Sequence, residues 1–340
     1  MKFGSISVEE AAGKILAHKL LDDSGRKIFN KGHYLVPADV KTLSELNLES
    51  VIVATMEPGD LNENEAAQRV GNALAGPGIR VIAPGVGRAN LMADAHGPLR
   101  INVPLLERLN SIYAGITVAT LRQHTLVHPG QLAALIKIIP FAIPSARIAD
   151  VEAVARESGS IISVRVLQPG RVALIVSGPE SARERLLGDF VAPTRNRLEK
   201  LGSTLDTVQY VAHTEAALVP AICEQRDTGR DLILLAGVSA IIDQDDLVPS
   251  ALRAAGGTVT HFGVPVDPGS LLMLGYIGET PVVGAPGCVK SPKTNVIDWI
   301  LPRLLAGERL TGADLVAMGH GGLLDDISER PMPRRGVPPQ

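Results

Sequence analysis

The segment that most limits what this chain can fold into is Asp231-Leu232-Ile233-Leu234-Leu235, an apolar run that stops at Ala236-Gly237-Val238-Ser239. Consecutive apolar residues without alternation describe a strand covered on both faces, the habit of parallel sheets in α/β proteins. An acidic cluster follows, Asp243-Gln244-Asp245-Asp246, and then a stretch from Leu247 to Ala255 with helical spacing. Strand, small-residue loop and helix N-terminus in that order leave backbone N–H groups facing outward, an arrangement that receives anions. A further strand is expected over 258–264. Val266-Asp267-Pro268-Gly269-Ser270 then turns into Leu271-Leu272-Met273-Leu274, and Pro281-Val282-Val283 runs into Gly284-Ala285-Pro286-Gly287-Cys288. In an open α/β sheet, turns at the carboxyl ends of strands line the ligand crevice.

These turns resemble the molybdopterin-binding domain of molybdenum-cofactor biosynthesis proteins, the MogA/MoeA-like family whose fold is shared with CinA. The family pattern runs from a strand into GG-V/T-S/G, an Asp opening a helix, a PG-x-P-L turn, a short hairpin and a G-x-PGNP loop. Here it is matched by Ala236-Gly237-Val238-Ser239, Asp246-Leu247-Val248-Pro249, Pro268-Gly269-Ser270-Leu271-Leu272 and Gly284-Ala285-Pro286-Gly287, within the span Val172 to Gly307. Ala236 replaces the first Gly of the pair, Ser270 the usual Lys, and Cys288-Val289 the usual Asn-Pro. Earlier in the domain, Ser177-Gly178-Pro179-Glu180 stands where the family has T-G-D-E, whose Gly and carboxylate face the pterin and the metal.

The resemblance implies a three-layer α/β domain with a mostly parallel sheet, preceded by smaller α/β units. It implies molybdopterin, or its molybdenum form, as ligand. Contacts would come from Ser177, Gly178, Glu180, Gly237, Val238, Ser239, Pro268, Gly269, Ser270, Pro286, Gly287 and Cys288. Asp245 and Asp246 would hold Mg²⁺ near the phosphate during adenylyl or metal transfer. Binding within cofactor biosynthesis or delivery is the leading expectation. A Mg-dependent molybdopterin adenylyltransferase or molybdenum insertase and a CinA-like nucleotide hydrolase are the alternatives. A cytidylyltransferase or a molybdoenzyme apoprotein is the expected recipient, and a homo-oligomer the expected state. The missing Lys and Asn-Pro weigh against transfer, because that chemistry needs positive charge on the phosphates.

Composition narrows the remaining classes. Apolar residues make up 45% of the chain but aromatics only 3%, so Val, Ile, Leu and Ala must pack the core. A net charge of −3 argues against a nucleic-acid or acidic-membrane partner. Two cysteines, Cys223 and Cys288, give no disulfide framework and fit a reducing cytoplasm. The N-terminus lacks the apolar core of a signal peptide, and no run reaches the length of a membrane span.

Four segments are expected from the chain in order: 1–60, 61–160, the pterin-binding-like domain at 161–310, and a partly disordered tail at 311–340. In the first, Asp22-Asp23-Ser24-Gly25 marks a turn, Pro37 opens a helix, and Val51-Ile52-Val53 closes as a strand. The second begins with a helix from Asn64 to Ala75. Gly85-Val86-Gly87-Arg88 lacks the third glycine of a dinucleotide fingerprint, so a turn into a helix over 89–95 is preferred. His124 and His128 have the i,i+4 spacing of metal ligands, but no Glu accompanies them and Pro129-Gly130 follows. They read as ordinary loop histidines. Gln131 to Ile139 fits either a strand or a buried helix. Lys137-Ile138-Ile139-Pro140-Phe141-Ala142 resembles a segment that precedes the domain in relatives of the family.

In the third segment, 161–166 and 172–177 read as a hairpin or adjacent strands around Gln168-Pro169-Gly170-Arg171. A helix from Asp189 to Gly202 carries Arg195 and Arg197 on its exposed side, and Thr214 caps a helix that runs to Cys223. Two residues keep two readings open. Asp245 and Asp246 suit a helix N-terminus as well as they suit Mg²⁺. Cys288 is either a small packing residue or a soft sulfur ligand.

Overall fold

The computed structural model describes residues 1–157 and 159–324, which fall into two units, Met1–Arg165 and Val166–Gln340. In the first unit, strands Lys2–Ser7, Ser50–Thr55 and Ile15–Leu16 form an antiparallel sheet. Helix Pro37–Glu45 starts on its proline, as expected, and its Leu43 joins Leu16, Leu35 and Val53 in a small core. A second core lies under the antiparallel sheet of Ile116–Thr120, Leu132–Ile138, Arg88–Ala93 and Ile79–Gly85. Helix Glu63–Leu74 buries Ala66, Ala67, Val70 and Leu74 there, one stripe at helical spacing, and Asn62 caps it by accepting from the N–H groups of Asn64 and Glu65.

The structure corrects two expectations in this unit and settles a third that was open between strand and helix. Residues 88–93 form a strand, because Val86 and Gly87 both take positive φ and close a two-residue hairpin turn between Gly85 and Arg88. Residues 132–138 also form a strand. Ile162–Val164 pairs with Gly97–Ile101 in the first unit and makes no hairpin with the segment that follows it.

The second unit holds one six-stranded sheet. Its elements are β1 (Arg171–Ser177), α1 (Arg183–Lys200), β2 (Thr204–Val211), α2 (Glu215–Asp227) and β3 (Leu232–Gly237). They continue with α3 (Leu247–Ala254), β4 (Thr258–Phe262), β5 (Met273–Ile277), β6 (Thr280–Gly284) and α4 (Val296–Leu305). The strand order is β2-β1-β3-β6-β5-β4. The first four neighbours run parallel, while β5 is antiparallel to both β6 and β4. The fold is mixed α/β.

On β3, Ile233 and Leu235 pack with Leu218 and Ile222 of α2 and with Val248 and Leu252 of α3. Leu232 and Leu234, which point the other way, are also buried. The uninterrupted apolar run is therefore covered on both faces, and each Leu or Ile side chain in it contributes about 1.5–3 kcal/mol. The ordered chain continues past the expected tail boundary at 311. Gly312–Val316 is helical, and Leu310, Leu315 and Met318 are buried. The rest of that tail, 325–340, lies outside the described residues.

Candidate functional site

Chain reversal in the sheet decides where a site can form. From β1 the chain passes through α1 to β2 on one side, and it returns through α2 to β3 on the other. Such a reversal opens a crevice at the carboxyl ends of the two inner strands. At those ends Ser177 and Gly237 are register partners, and the Val238 N–H donates to the Ser177 carbonyl at 2.9 Å. The Ser177 hydroxyl is buried, 2.9 Å from His213 Nδ1 and 3.4 Å from the Ala236 carbonyl oxygen. A Cβ on Gly237 would lie 2.7 Å from Ser177 Oγ and 2.9 Å from its carbonyl. Glycine at 237 thus makes room for the neighbouring strand end.

Gly178 is similarly enclosed. Its N–H donates to Val211 at 3.1 Å, and a Cβ would sit 2.6 Å from both Leu186 Cδ1 and the Tyr210 hydroxyl. That hydroxyl donates to the Pro179 carbonyl at 2.7 Å, and the Arg183 guanidinium lies over the Tyr210 ring. Glu180 is exposed and pairs with Arg183 at 3.1 Å.

The loop after β3 contains Val238, Ser239, Asp245 and Asp246. The Ser239 hydroxyl donates to the Ala240 carbonyl at 3.1 Å, whereas the exposed N–H groups of Ser239 and Ala240 have no acceptor among the described residues. Asp246 is the N-cap of α3: its two oxygens accept from the N–H groups of Leu247 at 2.7 Å and Ile242 at 3.0 Å. Asp245 lies 3.5 Å from the Arg253 guanidinium, and its N–H donates to Asp243 at 2.8 Å. Among the described residues, no group of three or more His, Cys, Asp and Glu side chains is placed to hold a metal ion.

The third and fourth segments reach the same end of the sheet. Leu235 of β3 pairs with Gly284 of β6, and the Ala285 N–H donates back to Leu235 at 2.8 Å. Met273 opens β5 opposite Gly284, so Pro268-Gly269-Ser270 enters the sheet from that edge. Gly269 has φ +133°, and a Cβ there would collide with Val296. The Pro268 carbonyl accepts from the Val296 N–H at 3.1 Å, and the Ser270 carbonyl from the Val264 N–H at 2.9 Å. After Pro286 and the exposed Gly287, Cys288 is half-buried. Burial pushes its thiol up to about 11, so at neutral pH it is a protonated thiol.

Two residues that matter here were not recognised in the sequence. Arg197, expected on an exposed face, is 7% exposed. It donates to the Asp298 carboxylate at 3.0 Å and to the carbonyls of Pro193, Val289, Ser291 and Lys293 at 3.3, 3.0, 2.6 and 3.1 Å. The helix begins at Arg183 and not near Asp189, and Arg197 lies on its buried stripe with Leu186, Phe190, Thr194 and Leu198, facing the loop after β6. The other is His213, to which the sequence pattern gives no role beyond its place before Thr214. Thr214 is the N-cap residue of α2 but makes no side-chain cap, while the imidazole turns to Ser177. A histidine next to the end of a predicted parallel strand was the available signal. In the first unit, the two loop histidines separate: His128 stacks on His96 with ring centroids 4.3 Å apart. A cleft of about 610 Å³ in that unit, beside Arg100, Asn102 and Gln123, includes none of the sequence-derived site residues.

A family model described as a domain of unknown function (DUF8806) matches residues 5–55. No curated protein matches the chain. Among solved structures, it is similar to a molybdopterin biosynthesis MoeA protein from Pyrococcus horikosii, at 13% identity and TM-score 0.31, covering 90% of this chain and 75% of that one. It is similar to a molybdenum cofactor biosynthesis protein from Pyrococcus furiosus at 12% identity and TM-score 0.25, over 93% of this chain and 65% of that one. Molybdenum cofactor biosynthesis protein B matches at 14% identity and TM-score 0.31, over 41% of this chain and 96% of that one. Likenesses this distant carry no function across. Among the described residues, no helix is long and apolar enough to cross a membrane.

Proposed function

We propose that the second unit binds molybdopterin, or its molybdenum form, in cofactor biosynthesis or delivery, on a three-layer domain of the MogA/MoeA-like kind. The observation that carries this reading is the meeting of Ser177-Gly178 with Gly237-Val238-Ser239 where the strand order reverses, with 284–288 after the next parallel strand. Those segments carry the motifs on which the family resemblance rests.

The donor set suits the ligand's phosphate. Ser239 and Ala240 are exposed residues, and their N–H groups have no acceptor among the described residues. Fixed amides in a turn receive an anion without reorganisation. Ser177, Gly178 and Gly237 build the floor by close packing, and Pro286, Gly287 and Cys288 form the facing edge. Any Mg²⁺ that accompanies the phosphate would be held by Asp245 and Asp246 only if their carboxylates gave up the bonds to Arg253 and to the Ile242 and Leu247 amides. Binding is preferred over adenylyl transfer, because both Asp246 oxygens already accept backbone amides and Ser270 supplies no positive charge. The bound cofactor would pass to a cytidylyltransferase or a molybdoenzyme apoprotein, and the working state would be a homo-oligomer.

Anaerobic purification of the full chain, followed by oxidation of bound pterin to its fluorescent form, tests this reading. Near-stoichiometric fluorescence is expected. A protein that carries none, and takes up none when mixed with molybdopterin, contradicts it.

A further inference from the structure

Ser177, His213 and Gly237 lie at three adjacent parallel strand ends, with Ser177 touching both of the others, yet no motif singles out the histidine. Ser177 Oγ is closer to His213 Nδ1, at 2.9 Å, than to the Ala236 carbonyl, at 3.4 Å. In the tautomer in which the Ser177 hydroxyl donates to Nδ1, the ring proton sits on Nε2. Nε2 has no hydrogen-bond partner among the described residues, and it is not among their buried unpaired atoms. In that tautomer it is a free donor just past the end of β2, while the Ser239 and Ala240 amides, which have no acceptor among the described residues, follow β3 on the other side of β1.

Ser177 is 1% exposed, so its hydroxyl is shut off from an external substrate and the pair is no nucleophile–base dyad. The Gly237 position shows why the pair keeps its geometry. A Cβ there would lie 2.7 Å from Ser177 Oγ, so a side chain at 237 would displace the hydroxyl that holds the ring.

We infer that His213 contacts the phosphate group of the ligand through Nε2, and that Ser177 is the positioning residue that holds the imidazole for it. This rests on the pterin-binding reading for the identity of the ligand, but not for the phosphate chemistry of the contact.

Two substitutions separate contact from scaffold. His213→Asn places an amide where Nδ1 lies and removes the reach of Nε2. His213→Gln places an amide near Nε2 and gives up the bond to Ser177. The probes are 6-hydroxymethylpterin phosphate, its dephosphorylated form and inorganic phosphate, titrated into the full-length protein. Pterin fluorescence gives affinity, and ¹⁵N-imidazole resonances give the state of Nε2.

The wild type is expected to prefer the phosphorylated pterin by about tenfold, the scale of one hydrogen bond to a charged group. His213→Asn should lose that preference, His213→Gln should retain part of it, and phosphate should shift the wild-type Nε2 resonance. Equal binding by wild type and His213→Asn overturns the inference, as does phosphorylated pterin that binds without moving Nε2. In both cases the pterin reading survives. A wild type that ignores both pterins but shifts Nε2 with phosphate supports the inference and sinks the pterin reading. Binding of none of the three sinks both. The resonance is read on the wild type, so a variant that fails to fold does not block the test.

Discussion

The loop after β6 and the loop after β3 leave neighbouring strands at the same end of one sheet, yet they are held in opposite ways. The first is gripped from outside. Arg197 reaches from the last turn of α1 and donates to the Val289, Ser291 and Lys293 carbonyls while paired with Asp298. The second is held by its own residues, with Asp246 accepting from Ile242 and Leu247 and Asp243 from Asp245. It leaves Val238 and Ile242 44% and 75% exposed. A segment with few buried contacts opens at low free-energy cost. The crevice thus has one fixed wall and one adaptable wall, and the unused amides lie on the adaptable one.

Removing the outside grip should have the largest effect. Arg197→Ala leaves the partly exposed Asp298 unpaired and strands several carbonyls, so the loss should lie between about 1 kcal/mol, as for an exposed pair, and about 3–5 kcal/mol, as for a fully buried one. Urea unfolding followed through Trp299, the only tryptophan and a residue of α4, measures it. A loss under about 1 kcal/mol, the scale of an exposed pair, would mean that the loop after β6 holds itself. Lys in place of Arg should recover only part of the loss, since an ammonium lacks the planar fork that serves several carbonyls at once.

Gly237→Val tests the floor between the walls. The added Cβ meets the Ser177 backbone carbonyl at 2.9 Å as well as its hydroxyl, so the strand ends must part. Overpacking of this kind costs about 1–3 kcal/mol. The Ser177–His213 bond should be lost with it, and the His213 ring resonances would show that. Unchanged resonances would show that the floor yields elsewhere.

The adaptable wall should give less. Asp246→Ala removes the α3 cap and should cost about 1 kcal/mol by thermal unfolding, while Asp246→Asn, which can still cap, should stay within a few tenths. A larger loss than for Arg197→Ala would reverse the ranking of the two loops.

The smallest effect is chemical. With its thiol up at about 11, Cys288 should react with iodoacetamide at pH 8 far more slowly than an unfolded thiol, and faster as pH rises toward that value. Site-resolved mass spectrometry checks this. Rapid alkylation of Cys288 at pH 8 would show that the fixed wall opens.

The same contrast explains what could be read from the amino-acid sequence. The β3 run and the helix start at Asp246 are local facts: four apolar residues in a row, and an acidic residue directly before a helical stripe. Both were legible. Arg197 was not: it shares the buried stripe of Leu186, Phe190, Thr194 and Leu198, but its charge marks it for the surface, and its partners outside its own helix lie 92 to 101 residues further along the chain. Pairing of Ile162–Val164 with Gly97–Ile101 was hidden for the same reason, since the turn at Gln168-Pro169-Gly170 made a local hairpin the simpler pattern. The order of the site turns was visible, but not the use of their glycines. Those at 178, 237 and 269 admit Leu186 and Tyr210, Ser177, and Val296, which are the protein's own atoms.

Hydrogen–deuterium exchange of the full-length protein, with and without saturating molybdopterin under anaerobic conditions, tests the shared crevice most directly. Bound ligand should protect 177–180, 236–246 and 284–288 together, with the largest change in 236–246, where the loop is least held. Ligand that binds measurably yet protects none of these segments, or protects only 100–104 beside the cleft of the first unit, contradicts the crevice.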